Sequence, residues 1–324
     1  MMFRGPRVVD LFAGAGLFSH AFQRAGFEIT RAIEIDPIAA RTYAVNVGNH
    51  VEVGDISKIK PGGRCEILIA GPPCQGFSTL NLRRGNDPRN LLSLQVIRWV
   101  VALRPAIVVV ENVQAFLSSV VWATLDRRFK KLGYEVTTFV LDAVDFGAPQ
   151  LRRRSFTIAS RKGPLPTLNR RVRRIQTVRE AFDGLSRMPD GRNNHYAPHP
   201  SPIALKRMRV IPAGGDKRDV MATAPRLAPP SWWSVGCQVT DVWGRMEWEK
   251  PCNTLRTAFQ NPSKGRYIHP EENRVISLRE AARLHTVSDN WSFIGLPTQI
   301  ARQIGNSVPS VLGDAIAHMV LDLL

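Results

Sequence analysis

Four short stretches gather residue types that can form and break bonds. Residues 71–78, GPPCQGFS, place Cys74 between a proline pair and Gln75, directly after the apolar run 66–71 (EILIAG). On a turn at the mouth of a buried strand, a cysteine becomes a nucleophile where a positive neighbour or a helix start favours its thiolate. Without such help it is a small buried hydrophobe. Glu111 follows the apolar residues of AIVVVEN (106–112). Acids at that edge of an open α/β sheet face the ligand crevice, and burial there raises a carboxyl pKa so that the group donates as well as accepts a proton. The plainer alternative is an ordinary strand-end acid. In GAPQLRRRSF (147–156), Gln150, Arg152 and Arg154 alternate, so on a strand they share one face. A solvated basic edge strand would look the same.

The fourth stretch is the loop LFAGAG (11–16), in which Gly14 and Gly16 let a ligand approach the backbone. Glu34 stands 20 residues beyond Gly14, where an acid accepts from both ribose hydroxyls. Ser19 occupies the slot of the third glycine of a dinucleotide fingerprint, so a nucleoside ligand such as S-adenosylmethionine fits better than a pyrophosphate. Asp55, in VGDIS, is placed to hold an adenine amine or to cap a turn.

These side chains need strands and helices to present them. RVVDLF (7–12), EITRAIEI (28–35), EILIAG (66–71), AIVVVEN (106–112), YEVTTFVL (134–141) and RSFTIAS (154–160) read as strands. Helical patterns over 17–25, 38–46 and 90–103 alternate with them, which predicts a parallel sheet with helices on both faces. Residues 186–250 are rich in Pro, Gly, Asn, Arg and Trp and lack periodicity, as in a loop-rich domain. Helical spacing returns at 277–285 and from Val311 to Leu323.

The 324 residues carry 44 Lys+Arg against 27 Asp+Glu, a net charge of +17. Residues 1–150 hold 17 basic and 13 acidic residues, net +4, whereas residues 151–324 hold 27 and 14, net +13. That asymmetry suits a region that grips a polyanion. A membrane is disfavoured, because no apolar run is long enough to span one and no basic amphipathic helix has an aromatic face. With no signal peptide, the expected location is the cytoplasm. Cys65, Cys74, Cys237 and Cys252 form no CxxC pair, so neither zinc nor a disulfide framework is expected. His195 and His199 are flanked by Pro198 and Pro200 and read as surface-loop residues rather than metal ligands. Trp232, Trp233 and Trp243 suit either DNA contact or the core of a small domain.

DLFAGAG, GPPCQGFS, ENV, PQLRRR and RQIGNSVP (302–309), in this order and rough spacing, resemble the cytosine-5 DNA methyltransferases of bacterial restriction-modification systems. The resemblance covers almost the full length, including residues 261–284, and departs at Leu17, where many members carry a further glycine. It implies a Rossmann-like S-adenosylmethionine-dependent α/β domain from residues 1–185 plus 297–324, with a target-recognition domain and hinge inserted over 186–296. It implies that Cys74 attacks carbon 6 of a cytosine flipped out of duplex DNA, after which carbon 5 takes the methyl group. Glu111 would contact ring nitrogen 3 and the exocyclic amine, Arg154 the carbonyl oxygen at carbon 2, and Arg152 would steady the loop and thiolate. Gln75, Ser78, Asn112 and Gln150 would join in substrate binding. Phe12 would stack on the adenine; Glu34 would hold the ribose and Asp55 the adenine amine. Ala15, Gly14, Gly16, Leu17, Ile35, Ile56, Pro73, Leu92 and Asn306 would complete the cofactor site, without metal. A monomer acting on double-stranded DNA, beside a restriction endonuclease sharing its site, is the expected context. The alternative is a transfer RNA methyltransferase of the same fold.

Overall fold

The computed structural model describes residues 5–73, 88–165, 168, 172, 174–235 and 241–324. The chain runs β1 (Arg7–Leu11), α1 (Leu17–Arg24), β2 (Glu28–Glu34), α2 (Pro37–Asn46), β3 (Val51–Val53), β4 (Ile67–Ala70), α3 (Gln95–Leu103), β5 (Ile107–Asn112), α4 (Val120–Lys131), β6 (Glu135–Asp142) and β7 (Arg153–Ser160). It continues through α5 (Val178–Phe182), α6 (Pro202–Arg209), α7 (Lys217–Thr223), α8 (Pro230–Val235), α9 (Leu278–Leu284), α10 (Pro297–Asn306) and α11 (Ser310–Leu321). No helix among the described residues is long and apolar enough to cross a membrane.

Two compact units emerge. The first takes residues 1–146, 153–171 and 307–324. It is an α/β unit around a seven-stranded sheet of order β3-β2-β1-β4-β5-β7-β6. The strands predicted from apolar runs all form. Six run in the same direction, but β7, between β5 and β6, runs antiparallel to both, against the expectation of a parallel sheet. The physical reason is the connection. Residues 143–152 hold only a short turn over Ala143–Phe146, whereas a parallel return needs a crossover of about a dozen residues or more. Burial explains the composition of the centre: β4 and β5 are buried along their whole length. Trp99, Phe116, Leu125 and Phe129 close over one face, with Leu68, Val108 and Val110 beneath.

The last helix belongs to this unit. A Cβ on Gly313 of α11 would lie 2.8 Å from the Ala21 Cβ of α1, so the two helices approach closely there. Arg24 and Asp314 pair at 2.5 Å on the outer side.

The second unit takes residues 147–152 and 172–306. Its limits differ from 185 and 297 because α5 is bonded inside it. The amides of Val178 and Arg179 donate to the carbonyls of Lys250 and Trp248. Its small core joins Met208, Ile211, Val220, Trp232, Trp243, Ile268 and Val275. Trp232 and Trp243 are thus core residues, with ring centroids 5.6 Å apart and the Arg207 guanidinium 5.1 and 5.2 Å from the two rings. Trp233 is 53% exposed. Much of its backbone lies between short helices, and buried arginines pair part of it. Arg245 donates to the carbonyls of Ile211, His269 and Met208 at 2.7–2.8 Å. His195, expected on a surface loop, is buried, with Nδ1 2.8 Å from Ser277 Oγ and Nε2 2.8 Å from the Ser186 carbonyl.

Near the end of α10, a Cβ on Gly305 would sit 2.7 Å from the Cα and N of Thr257. Backbone cannot yield as a flexible side chain can. Gly305→Ala is therefore expected to destabilise the protein by about 1–3 kcal/mol. A lower midpoint in urea unfolding followed by tryptophan fluorescence checks this. An unchanged midpoint would mean that the contact is not tight.

Candidate active site

The site in the first unit is built at the C-terminal ends of β1, β2, β4 and β5. After β1 the chain turns through Phe12, whose φ of 63° is strained for a side-chain-bearing residue. Gly14 follows at φ 56°, and a Cβ there would meet nothing within 4 Å, so its backbone is open to a ligand. Its N–H donates to Glu34 Oε2 at 2.7 Å, and the Asp36 N–H donates to Oε1 at 2.8 Å. The carboxylate is thereby fixed at the end of β2, 9% exposed. Burial raises its pKa, against which the two amide bonds act. Asp36 is itself locked, because its side chain caps α2 through the N–H groups of Ile38 and Ala39.

Gly16 differs from Gly14. A Cβ there would come within 2.8 Å of Tyr43 Cδ2 and Val47 Cγ2, and its φ is 96°. Its missing side chain makes room for the packing of α1 on α2. Ala15, Leu17 and Ile56 have buried side chains. Ile35, by contrast, is an apolar residue 67% exposed next to Glu34. Phe12 and Leu92 are partly buried against the core beneath the sheet edge. Asp55 accepts from the Ser57 N–H at 2.9 Å and Oγ at 2.7 Å, which holds its pKa low. The Gly54 N–H bonds the Glu34 carbonyl at 2.8 Å, tying the Asp55 turn to the acid.

On the catalytic side, Cys74, Gln75 and Ser78 lie outside the described residues, as does Cys237. What leads to Cys74 is well anchored. Asn112 Nδ2 donates to the Pro72 carbonyl at 3.2 Å, while its Oδ1 accepts from the Val113 N–H at 2.8 Å. Ser155 Oγ, from β7, donates to the carbonyls of Asn112 and Val113. Asn112 therefore holds the proline turn that carries Pro73 toward Cys74. Glu111 is 8% exposed, and Arg154 Nε stands 3.0 Å from its Oε1. Arg154 also donates to the Arg153 carbonyl at 2.7 Å. Gly71 joins the two halves: a Cβ on it would lie 3.8 Å from Glu111 Oε2 and 3.9 Å from the Phe12 carbonyl. The carboxylate and the glycine loop thus converge on one residue.

Gln150 and Arg152 do not share a strand with Arg154. β7 starts at Arg153, and both belong to the second unit. Gln150 is fully buried; its Nε2 donates to the Leu284 carbonyl at 3.1 Å and its Oε1 accepts from the Leu255 N–H at 3.0 Å. Arg152 is also fully buried, donating to the carbonyls of Leu255 and Gly305 at 2.8 and 2.7 Å. Both act as struts of that unit. Asn306 ends α10 there as well.

Burial pushes the Cys65 thiol up to about 12 and raises that of Cys252 further, so neither is a ready nucleophile. Among the described residues no cluster of three His, Cys, Asp or Glu is arranged to hold a metal.

Sequence reading missed a chain behind the glycine loop that joins buried Asp10, Ser19 and Tyr43 to the partly exposed His50. Its signal was present, since Asp10 interrupts an otherwise apolar strand. Gly71 was missed too, and adjacency to Pro72 gives no sign of what it faces.

A family model described as C-5 cytosine-specific DNA methylase matches residues 6–321. The Type II methyltransferase M1.HphI of Haemophilus parahaemolyticus is 33% identical, over 97% of this chain and 86% of its own. M.XorII, a Type II methyltransferase of Xanthomonas oryzae pv. oryzae, is 32% identical over 98% and 85%. The solved structure of the Entamoeba histolytica methyltransferase EhMeth superposes with a TM-score of 0.73 at 18% identity, covering 98% of each chain, and shows the shared fold. Together with the converging carboxylate and glycine loop, these matches establish that the chain belongs to the C-5 cytosine-specific DNA methylases, transferases of the S-adenosylmethionine-dependent fold.

Proposed function

We propose that this protein methylates carbon 5 of a cytosine, flipped out of duplex DNA within a specific sequence, through a covalent bond to Cys74. The observation that carries the reading is the convergence of Glu111 and the Phe12 loop on Gly71, two residues from the proline that precedes Cys74. S-adenosylmethionine supplies the electrophilic methyl group when bound. The residues present fit it: the Glu34 carboxylate is preset by two amides, Gly14 is open, and Ile35 offers an exposed apolar side chain beside them. Glu34 takes the ribose hydroxyls, while Ile35, Phe12 and the Asp55 turn flank the adenine.

Cytosine carbon 5 is a poor nucleophile. Addition of the Cys74 thiolate at carbon 6 breaks the aromatic ring and makes carbon 5 enamine-like, able to take the methyl group. Glu111 then donates a hydrogen bond or proton to ring nitrogen 3, offsetting the charge that builds during attack. Arg154 is a positioning residue for this acid through its Nε contact. Loss of the carbon 5 proton to water, return of any nitrogen 3 proton to Glu111 and departure of the Cys74 thiolate restore the ring. A base inside a duplex is out of reach of this site, so the target nucleotide must swing out. The basic, loop-rich second unit holds the distorted duplex and reads its base edges. The protein acts in the cytoplasm beside a restriction endonuclease of the same specificity.

Bisulfite sequencing of DNA from a methylation-free host expressing the protein tests this. Protected cytosines at one fixed position of one short sequence are expected. Unprotected DNA, with protected cytosines in transfer RNA instead, would move the activity to RNA.

A further inference from the structure

A hydrogen-bonded chain runs behind the glycine loop. Ser19 Oγ lies 2.7 Å from Asp10 Oδ2, Tyr43 OH lies 2.9 Å from Ser19 Oγ, and His50 Nε2 lies 2.9 Å from Tyr43 OH. Asp10, Ser19 and Tyr43 are buried at 1%, 0% and 0% exposure, while His50 is partly exposed. The chain therefore connects a buried acid to a ring within reach of solvent.

Every link can run in two directions. With Asp10 ionised, His50 Nε2–H donates to Tyr43, Tyr43 to Ser19, and Ser19 to Asp10. With Asp10 protonated, each bond reverses and His50 Nε2 becomes the acceptor. Passing from the second state to the first moves one proton along each link and expels one from His50 Nδ1 to water. No member needs to remain charged on the way.

The surroundings set the resting state. Burial raises the Asp10 carboxyl to about 8; the Ser19 bond opposes this and the Glu34 charge adds to it. Its neighbours across the sheet, Ala32 and Ile69, are apolar. Ser19 faces it from α1 and Tyr43 from α2, while Asp314 of α11 is engaged with Arg24. Burial keeps the His50 ring neutral by lowering its pKa, as a relay requires. Near neutral pH the acid thus rests protonated, two residues before Phe12 on the strand that carries the glycine loop.

We propose that the Asp10–Ser19–Tyr43–His50 chain is a proton conduit that empties Asp10 when a cationic cofactor binds, so that the protein takes up S-adenosylmethionine with release of a proton. This rests on the cofactor reading above. S-adenosylmethionine carries a sulfonium, an ammonium and a carboxylate, net +1. The product, S-adenosylhomocysteine, has lost the sulfonium charge. A cation beside the loop favours ionised Asp10 across a low-dielectric interior, and the neutral product does so less. The device distinguishes spent from fresh cofactor by charge.

Isothermal titration calorimetry of the full chain at pH 7, in buffers of differing ionisation enthalpy, reads the proton count directly. Release is expected with S-adenosylmethionine and less with S-adenosylhomocysteine. Affinity for the former should rise with pH up to about 8, by at most about tenfold per pH unit. Asp10→Asn should bind without release and without the pH slope. Ser19→Ala removes the bond that favours ionised Asp10 and should move the rise to higher pH, a second reading should Asp10→Asn fold poorly. Binding by the native chain without proton release, or release that persists in Asp10→Asn, would overturn the conduit. Absence of binding by either ligand would overturn the cofactor reading, and the conduit with it.

Discussion

Duplex DNA carrying 5-fluorocytosine at the target position is expected to become covalently attached to the protein in the presence of S-adenosylmethionine, and Cys74→Ala is expected to abolish the adduct entirely. Fluorine cannot leave as a cation, so once carbon 5 is methylated the ring cannot regain aromaticity and the cysteine cannot depart. The thiol alternatives are poor. Cys65, pushed to about 12 by burial, carries on the order of one thiolate in ten thousand at pH 8. Cys252 is fully buried and still less ionised. Folding and duplex affinity should be retained, since the turn is anchored by Asn112 on Pro72 rather than by the thiol. Denaturing electrophoresis reads the adduct. A band that survives in Cys74→Ala would transfer the chemistry to another cysteine, with Cys237 first to test.

Glu111→Gln should lower turnover by about a hundred- to a thousand-fold while leaving duplex affinity within a few-fold. Glutamine keeps the shape and still donates an amide hydrogen, but cannot deliver a carboxylic proton as charge develops. It also loses the ion pair with Arg154, whose Nε stands 3.0 Å from Oε1. Single-turnover rates under saturating DNA and cofactor separate this from binding. Near-native rates would remove Glu111 from the chemistry.

The outline of this enzyme was legible where a residue type admits few physical uses. β4 is apolar throughout and β5 from Ile107 to Val110, and a strand buried on both faces suits such runs. Glu34 stood at a spacing that places an acid on the next strand end, and there it is, gripped by the Gly14 amide. Identical residue types hid different jobs. Gly14 opens to a ligand while Gly16 makes room for Tyr43, a distinction set by a helix that begins 21 residues downstream. The alternation of Gln150, Arg152 and Arg154 is real in burial, yet the chain changes unit between Arg152 and Arg153. Spacing encodes direction along a strand but not where the strand begins. The direction of β7 was likewise invisible in its own residues, being decided by the length of the connection before it.

The order of synthesis makes one consequence of α11 concrete. This helix covers α1, against Phe18 and Ala21, yet it is translated only after all of residues 172–306. Until it emerges from the ribosome, the helix that begins at the glycine loop keeps an apolar flank in water. Contacts so distant along the chain form late. A nascent chain can thus complete its sheet early but not the packing of the helix that follows the glycine loop.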